Sequence, residues 1–248
     1  MPAVTEATRL ELRLAEQTVP ARLALPDGPG PHPGVLVIHE LWGLTADIER
    51  ICERLATAGY AALAAELYGP GPRPLCIARA IRDLKQAQGE QGMGRAAAAF
   101  EALRARAEVD ASRTGAIGFC MGGGFALLLG ASQDMRATSV NYGRVPESTD
   151  RLRGVCPVVG SYGGRDRDLV PQFELLRRFL EDSEIPYDLE QYPGAGHSFM
   201  NRTVPGVATR LVGPLASIEY RHSEAEDAWR RILAFFAEHL AGRPAEGR

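Results

Sequence analysis

The stretch GFCMGG occupies positions 118–123 and lies between two mainly apolar runs. Residues 114–117 before it suit a short strand, and residues 125–129 after it suit a buried helix. The pattern predicts a strand that turns directly into a helix at a corner of small residues. Cys120 stands at the tip of this corner, where the backbone is strained and only small neighbours leave room. The first amides of the helix then face any group that reacts at Cys120.

Such a corner is typical of the nucleophile elbow of the α/β-hydrolase fold, with cysteine at the position that serine usually holds. An isolated cysteine at a glycine-rich turn has a simpler explanation, because a free thiol packs as a compact hydrophobic group. For Cys120 taken alone, this simpler explanation is the better one. The flanking glycines and two polar residues further along the chain reverse the preference.

Two candidate partners follow Cys120 in the order acid, then histidine. Asp166 ends a glycine-rich loop after the apolar strand predicted at 155–159, and His197 lies in a small-residue loop after the strand predicted at 187–192. Alone, Asp166 fits a turn or a helix cap, and His197 fits an ordinary loop histidine. At the carboxyl ends of strands and in this order, they predict a catalytic triad with Cys120.

A second aspartate leaves the register of the acid open by two residues. Asp166 directly follows Gly163-Gly164-Arg165, at the place from which a turn can aim a side chain at the histidine loop. Asp168 lies closer to the helix predicted at 169–180, which its side chain could cap. We therefore predict Asp166 as the acid, with Asp168 as the alternative.

With these motifs the sequence resembles the dienelactone hydrolase (carboxymethylenebutenolidase) family. The resemblance runs from about position 35 to the C-terminal helix. It rests on four segments, which are GFCMGG with Cys120, IHELWGL at 38–44, the loop with Asp166, and GAGHSF with His197. The elbow and the GAGHSF segment are the specific ones.

The resemblance implies a role for each matched residue. Cys120 is the nucleophile, His197 is its base, and Asp166 orients His197. The backbone amides of Met121 and Leu41 form the oxyanion hole. An α/β-hydrolase that acts through an acyl-enzyme is therefore expected.

Glu40, in the IHELWGL segment, is implied to meet the Cys120 thiol at rest and to help generate the thiolate when substrate arrives. A carboxylate beside a thiol can accept its proton, but its charge also disfavours a nearby thiolate. The resting thiol is therefore expected to be protonated and fairly inert. An acidic residue near a helix start has an equally good structural explanation.

Substrate-binding residues are less defined by the sequence. The family's lactonases use arginines to hold a substrate carboxylate, and the candidates here are Arg79, Arg82 and Arg202, none of which lies in a clear motif match. The resemblance therefore implies hydrolytic chemistry more firmly than the dienelactone substrate. Trp42 fits the core or a pocket wall, with the core as the default interpretation.

The remaining sequence alternates strands and helices. Its repeated units predict a mainly parallel central sheet with helices on both faces, in a single α/β domain spanning 1–248. Residues 201–222 show no periodicity and are a candidate lid or active-site rim. The predicted strands are 9–14, 19–25, 35–38, 61–67, 114–117, 138–142, 155–159 and 187–192, of which the first two pair as a hairpin, and the predicted helices are 47–58, 78–88, 95–107, 169–180 and 225–240.

Composition excludes several classes of function. The net charge is −3, with 24% charged and 45% hydrophobic residues, and no basic stripe indicates a nucleic-acid partner. No apolar run approaches membrane-spanning length, and positions 1–6 lack the apolar core of a signal peptide. We therefore expect no membrane partner and a cytoplasmic location.

We predict no metal and no organic cofactor. Cys52, Cys76 and Cys156 show no metal-ligand spacing and are interpreted as reduced structural residues. GMGRAA at 92–97 fits a dinucleotide-binding pattern by its letters but follows a polar run rather than a strand.

The predicted function is a cysteine-dependent hydrolase of small-molecule esters or lactones, acting as a monomer or small homo-oligomer. Two alternatives stay open. The protein could be a hydrolase-fold binding or redox-sensing protein in which Cys120 is oxidised. It could also be a thiol-dependent acyltransferase or a small peptidase.

Overall fold

A computed structural model describes residues 6–14, 17–68, 90–202 and 218–240. Eight strands in this part of the chain join one sheet. Their bounds are β1 Thr8–Leu14, β2 Gln17–Ala24, β3 His32–Ile38, β4 Ala61–Ala65, β5 Val109–Phe119, β6 Ala137–Asn141, β7 Val158–Gly163 and β8 Tyr187–Tyr192. They lie side by side in the order β1-β2-β4-β3-β5-β6-β7-β8.

The sheet is mainly parallel, as the repeated units predict. Strands β3 to β8 all run parallel to one another, and β2 pairs antiparallel with both β1 and β4. The predicted hairpin is confirmed by the pairing of β1 with β2. Parallel strands place their carboxyl ends at one edge, and there the loops after β3, β5, β7 and β8 meet.

Helices cover both faces of the sheet. They are α1 Ala46–Thr57, α2 Glu90–Arg104, α3 Met121–Ser132, α4 Val170–Asp182 and α5 His222–Leu240. On β3, Val35 and Val37 pack into the apolar cluster of α1, α4 and α5, while Leu36 and Ile38 pack into the cluster of α2 and α3. A strand with both faces covered needs a continuous apolar run, which explains the sequence of β3.

Several elements differ from their predicted bounds, and β5 begins at Val109, five residues before the predicted start at 114. Helix α2 begins at Glu90, before the predicted start at 95, because two glycines in its first turns hide the helical signal. Strand β7 begins at Val158 and continues to Gly163 through residues expected in a loop, since pairing with β6 and β8 outweighs the low strand propensity of glycine. A short 3₁₀ helix, Thr149–Leu152, was not predicted.

Other features of the sequence analysis either form a different element or fall outside the described residues. GMGRAA at 92–97 lies inside α2 and forms no strand-to-helix turn. The helix expected at 78–88 and positions 203–217 of the candidate lid fall outside the described residues. None of the helices in the described ranges combines the length and the apolar character needed to cross a membrane.

Candidate active site

Cys120 lies at the corner between β5 and α3. Its backbone has φ 54° and ψ −115°, a conformation that strains a residue with a side chain. The corner is held by the Cys120 amide, which donates to the Asn141 carbonyl at the end of β6 at 3.0 Å. The sulfur side chain is partly exposed. The predicted strained corner is therefore present, with Cys120 at its tip.

Two glycines allow the corner to be this tight. A Cβ on Gly118 would lie 1.9 Å from the Gly122 carbonyl oxygen, and a Cβ on Gly122 would lie 2.2 Å from the Ile38 carbonyl oxygen. No side chain fits at either place. The first turn of α3 therefore packs directly on the end of β3, which brings the segment after β3 beside Cys120.

The loop after β7 is tied to the loop after β8 by backbone contacts. The Gly164 amide donates to the Tyr192 carbonyl at 2.8 Å, and the Arg165 amide donates to the Ala195 carbonyl at 2.9 Å. This pairing places Asp166 Oδ2 at 2.6 Å from His197 Nδ1. The Asp166 side chain is 5% exposed and that of His197 is 19% exposed. The structure thus brings together the acid and the histidine that the sequence singles out.

Asp168 occupies a different environment. It is exposed, and its side chain makes no capping hydrogen bond to α4, whose N-cap residue is Leu169. The expectation that Asp168 caps this helix is therefore wrong. Instead, the Asp166 carbonyl accepts hydrogen bonds from two backbone amides, those of Leu169 and Val170, at the start of α4. Because the backbone of Asp166 already anchors the helix start, no cap from Asp168 is required.

His197 is in an environment that favours its charged form. Burial by itself would lower the pKa of His197, but the charge of the neighbouring Cys120 sulfur and the hydrogen bond with Asp166 raise this pKa to about 10. Asp166 accepts a hydrogen bond from Nδ1 of His197. Nε2 is therefore the ring nitrogen that is left to exchange a proton with a reacting group. The arrangement supports proton transfer between sulfur and imidazole.

Glu40 is buried at 1% exposure. Burial raises the pKa of its carboxyl group, although the Asn201 side chain, His197 and Ser198 act in the opposite direction. Oε2 accepts a hydrogen bond from the Ser198 hydroxyl at 3.3 Å, while Oε1 has no hydrogen-bond partner among the described residues. The implied resting contact between Glu40 and the Cys120 thiol is not present, because the carboxylate is directed to Ser198 instead.

The two amides expected to form an oxyanion hole are unpaired. In the described part of the chain, neither the Leu41 nor the Met121 amide donates a hydrogen bond to another protein group. Met121 is the first residue of α3, and the first amides of a helix have no acceptor within it. Both are therefore available donors in the described chain, and Met121 directly follows Cys120.

Of the predicted substrate-binding residues, Arg202 and Trp42 lie in the described part of the chain. The Arg202 guanidinium lies 5.4 Å from the centre of the Tyr220 ring, beside a cavity of about 250 Å³ that Trp229 also lines. Trp42 is half-buried in a turn and, among the described residues, belongs to neither apolar cluster. Arg79 and Arg82 lie outside the described residues.

Tyr142 and Asn201 join the site without having been singled out by the sequence. The ring of Tyr142 lies 5.3 Å from that of His197, and its hydroxyl donates to Asn201 Oδ1 at 2.8 Å. Tyr142 directly follows β6. Its position at the end of a strand was the one feature of the sequence that could have indicated a place in the site. The direction of its ring depends on a backbone φ of 42°, which the sequence does not reveal.

Two other thiols are chemically unlike Cys120. Cys52 and Cys156 are buried and unpaired, and burial raises the pKa of both, to about 12 for Cys156. Buried thiols with a raised pKa are poor nucleophiles. Cys76 lies outside the described residues. Within the described ranges, no three His, Cys, Asp or Glu side chains come together as a metal site.

The strand order, with the elbow after β5 and the acid and histidine loops after β7 and β8, defines an α/β-hydrolase fold. Comparison with known proteins gives the family. The sequence profile described as "Dienelactone hydrolase family" matches residues 19–240. The chain belongs to the dienelactone hydrolase family.

Individual relatives agree with this assignment. Proteins from Methylorubrum extorquens and Yersinia pestis, both named "Putative carboxymethylenebutenolidase", are 28% and 30% identical to this chain. The first alignment covers 94% of this chain and 81% of the relative, and the second covers 89% and 84%. A crystal structure titled "Putative Dienelactone Hydrolase", from Klebsiella pneumoniae, is similar with a TM-score of 0.75 and 27% identity, covering 94% of this chain and 98% of its own.

Proposed function

We propose that this protein hydrolyses small-molecule esters or lactones through a Cys120–His197–Asp166 triad. The observation that carries the proposal is the position of His197. Its Nδ1 lies 2.6 Å from buried Asp166, and its pKa responds to the Cys120 sulfur at the strained corner. A nucleophile, a base and a residue that orients the base form the minimal unit for acyl transfer.

The first half-reaction forms a thioester. His197 takes the proton of the Cys120 thiol, and the sulfur attacks the substrate carbonyl carbon. The carbonyl oxygen becomes an anion, which the amides of Leu41 and Met121 stabilise. The intermediate then collapses, the carbon–oxygen bond to the leaving group breaks, and His197 returns the proton to the departing alkoxide. In a lactone this alkoxide stays attached to the acyl group.

The second half-reaction releases the acid. His197 removes a proton from water, and the resulting hydroxide attacks the thioester carbonyl carbon at the same two amides. The carbon–sulfur bond breaks, and the thiolate recovers its proton from His197. Asp166 holds the imidazole in one orientation throughout and stabilises its charged form.

Glu40 is proposed to act behind the triad. Its buried carboxyl accepts from Ser198, the residue next to His197, and its raised pKa allows it to hold a proton closer to neutral pH than an ordinary carboxyl. Ionised, it disfavours negative charge on nearby sulfur. We propose that ionised Glu40 keeps Cys120 protonated and inert at rest, while His197 remains the group that takes the thiol proton.

Burst kinetics test the proposed function. With excess 4-nitrophenyl acetate, we expect one equivalent of nitrophenol per Cys120 in a fast phase, followed by slower turnover. Added alcohols should not become the main acyl acceptors, which separates a hydrolase from an acyltransferase. A protein that releases no nitrophenol above the rate of Cys120→Ala, but whose Cys120 oxidises readily with peroxide, would instead support the redox alternative.

A further inference from the structure

His39 is completely buried at the end of β3, and both of its ring nitrogens are engaged by backbone groups. Nδ1 lies 2.7 Å from the Glu40 carbonyl oxygen. Nε2 lies 3.0 Å from the Leu67 amide, which can only donate. A carbonyl can only accept, so Nδ1 must carry the proton and Nε2 must accept. The surroundings therefore fix one tautomer of the His39 ring.

The Glu66 carboxylate also lies near this ring, 3.2 Å from Nε2. A proton added at Nε2 would turn that nitrogen from an acceptor into a donor. The bond from Nδ1 to the Glu40 carbonyl is the same in both cases. The contact between His39 and the Glu40 carbonyl thus does not depend on which partner Nε2 has.

The Glu40 carbonyl belongs to the peptide whose amide is that of Leu41. A trans peptide is planar, so its carbonyl and its N–H point in opposite directions. The Glu40 carbonyl accepts from His39 and also from the Gly43 amide at 3.1 Å. With the carbonyl held from that side, the Leu41 N–H is directed the opposite way, where it meets no protein acceptor in the described chain.

We propose that His39 is a positioning residue that aims the Leu41 amide at the developing oxyanion. The inference rests on the proposed function, in which Leu41 supplies one of two oxyanion donors. His39 touches neither substrate nor the reacting atoms. It acts through the Glu40–Leu41 peptide, because free rotation of this peptide would turn the donor away.

A second contact holds the same segment from the other side. The Tyr68 hydroxyl donates to the Leu41 carbonyl at 2.6 Å, and the Tyr68 ring lies 5.4 Å from the His39 ring. The contacts that hold the Glu40 carbonyl and the Leu41 carbonyl therefore both involve rings that lie in or contact the segment after β4. The Met121 amide is fixed independently by α3. The two donors are set by different parts of the sheet, which predicts that they can be perturbed separately.

Two substitutions separate the ring nitrogens of His39. The amide nitrogen of Asn lies where Nδ1 lies in histidine, while the amide of Gln reaches the position of Nε2. His39→Asn should keep the donor to the Glu40 carbonyl and retain the wild-type acylation rate within about threefold. His39→Gln should keep the partner of Leu67 but slow acylation by about 10- to 100-fold, below the loss seen when an oxyanion donor is removed outright.

The readouts are the burst rate with 4-nitrophenyl acetate and the infrared carbonyl stretch of the acyl-enzyme made with ¹³C-labelled ester. A stretch at higher frequency in His39→Gln, with the wild-type value in His39→Asn, would show weaker polarisation of the carbonyl. Equal rates and equal stretches in both variants, or a slower His39→Asn, would overturn the inference. The proposed function would still stand in that case, provided that Cys120→Ala is inactive.

A measurement on the unmutated protein guards against variants that do not fold. ¹⁵N-histidine spectra distinguish the two ring tautomers, and the signals can be assigned by replacing the other four histidines in turn, which are His32, His197, His222 and His239. We expect His39 with its proton on Nδ1. A proton on Nε2 alone would contradict the inference, because such a ring cannot donate to the Glu40 carbonyl.

Discussion

At the scale of single residues, the site depends on a few charges held out of water. Asp166 is buried and accepts from His197, whereas Asp168, two positions later, is exposed. Glu40 is buried with one carboxylate oxygen unpaired among the described residues. Each of these carboxyl groups is therefore expected to respond differently to a change that removes only its charge.

The two aspartates provide a matched pair. Asp166→Asn should lower turnover by about 10² to 10⁴-fold, because the amide can donate to His197 and favours the wrong tautomer. Asp168→Asn should leave turnover unchanged, since this side chain makes no capping bond. Steady-state kinetics on both variants, with their unfolding midpoints as a control for folding, decide the register. Loss of activity in Asp168→Asn alone would place the acid two residues further on.

The raised pKa of Glu40 predicts how the free energy of unfolding depends on pH. Its pKa in the folded protein lies above the ordinary value of 4.5, so the protonated group contributes stability below pH 4.5, and this is lost as the pH rises through the folded-state pKa. Glu40→Gln cannot ionise and should not show this loss. Urea unfolding of both proteins at several pH values should therefore show the variant gaining stability relative to wild type as pH increases.

Activity gives the second half of the Glu40 test. We expect turnover of Glu40→Gln to fall substantially although its stability is maintained at neutral pH. Unchanged turnover, together with a constant difference in unfolding free energy at every pH, would mean that Glu40 is an ordinary buried side chain.

The residues at the site were only partly predictable from the sequence. Cys120, Asp166 and His197 stand out because each combines a chemical type with a place after a strand. Ser198 and Tyr142 do not, because their contacts depend on positive φ angles of 56° and 42°. The direction of Glu40 toward Ser198 rather than Cys120 likewise depends on packing between loops that are distant in sequence.

At the scale of elements, the close approach of α3 to β3 creates the site. The Gly122 position has no room for a Cβ, which would lie 2.2 Å from the Ile38 carbonyl oxygen. Predicted element types were confirmed wherever the hydrophobic pattern was strong, as for β3, α1 and β8. The bounds of β7 and α2 were wrong where glycine weakened the local signal and sheet pairing or helix packing overrode it.

Gly122→Ala tests the contact between these elements. The added methyl group must push α3 from β3, so we expect a loss of about 1–3 kcal/mol in the free energy of unfolding and a lower acylation rate. Gly94→Ala is the control, because a Cβ there, within α2, meets nothing within 4 Å. It should be neutral or stabilising by up to about 1 kcal/mol. Equal stability of the two variants would contradict the packing described for the elbow.

At the scale of the whole molecule, eight strands in the described residues share one sheet with an apolar cluster on each face. The mainly parallel α/β-hydrolase architecture was predictable, because repeated strand–helix units allow few other arrangements. The strand order was not, since it depends on which edges pair in space. The prediction of a single domain leads to a test of cooperativity.

The chain has two tryptophans, which report on different parts of the sheet. Trp42 lies in the turn after β3, and Trp229 is buried in α5. Trp42→Phe and Trp229→Phe each leave one tryptophan as a fluorescent probe. If the chain is one domain, the urea midpoint from this fluorescence should equal the midpoint from circular dichroism within each variant. Separate midpoints for the two probes within one variant would indicate independent units.

The central claim concerns which atom forms the covalent intermediate, and mass spectrometry tests it directly. The reaction with 4-nitrophenyl acetate is quenched in acid within the burst, and the digested protein is mapped for the acetyl group. We predict one acetyl group on the peptide that contains Cys120, the same result in Cys156→Ala, and neither acetylation nor turnover above background in Cys120→Ala. Wild-type turnover in Cys120→Ala, or an acetyl group that forms and decays at the turnover rate on another residue, would contradict the account.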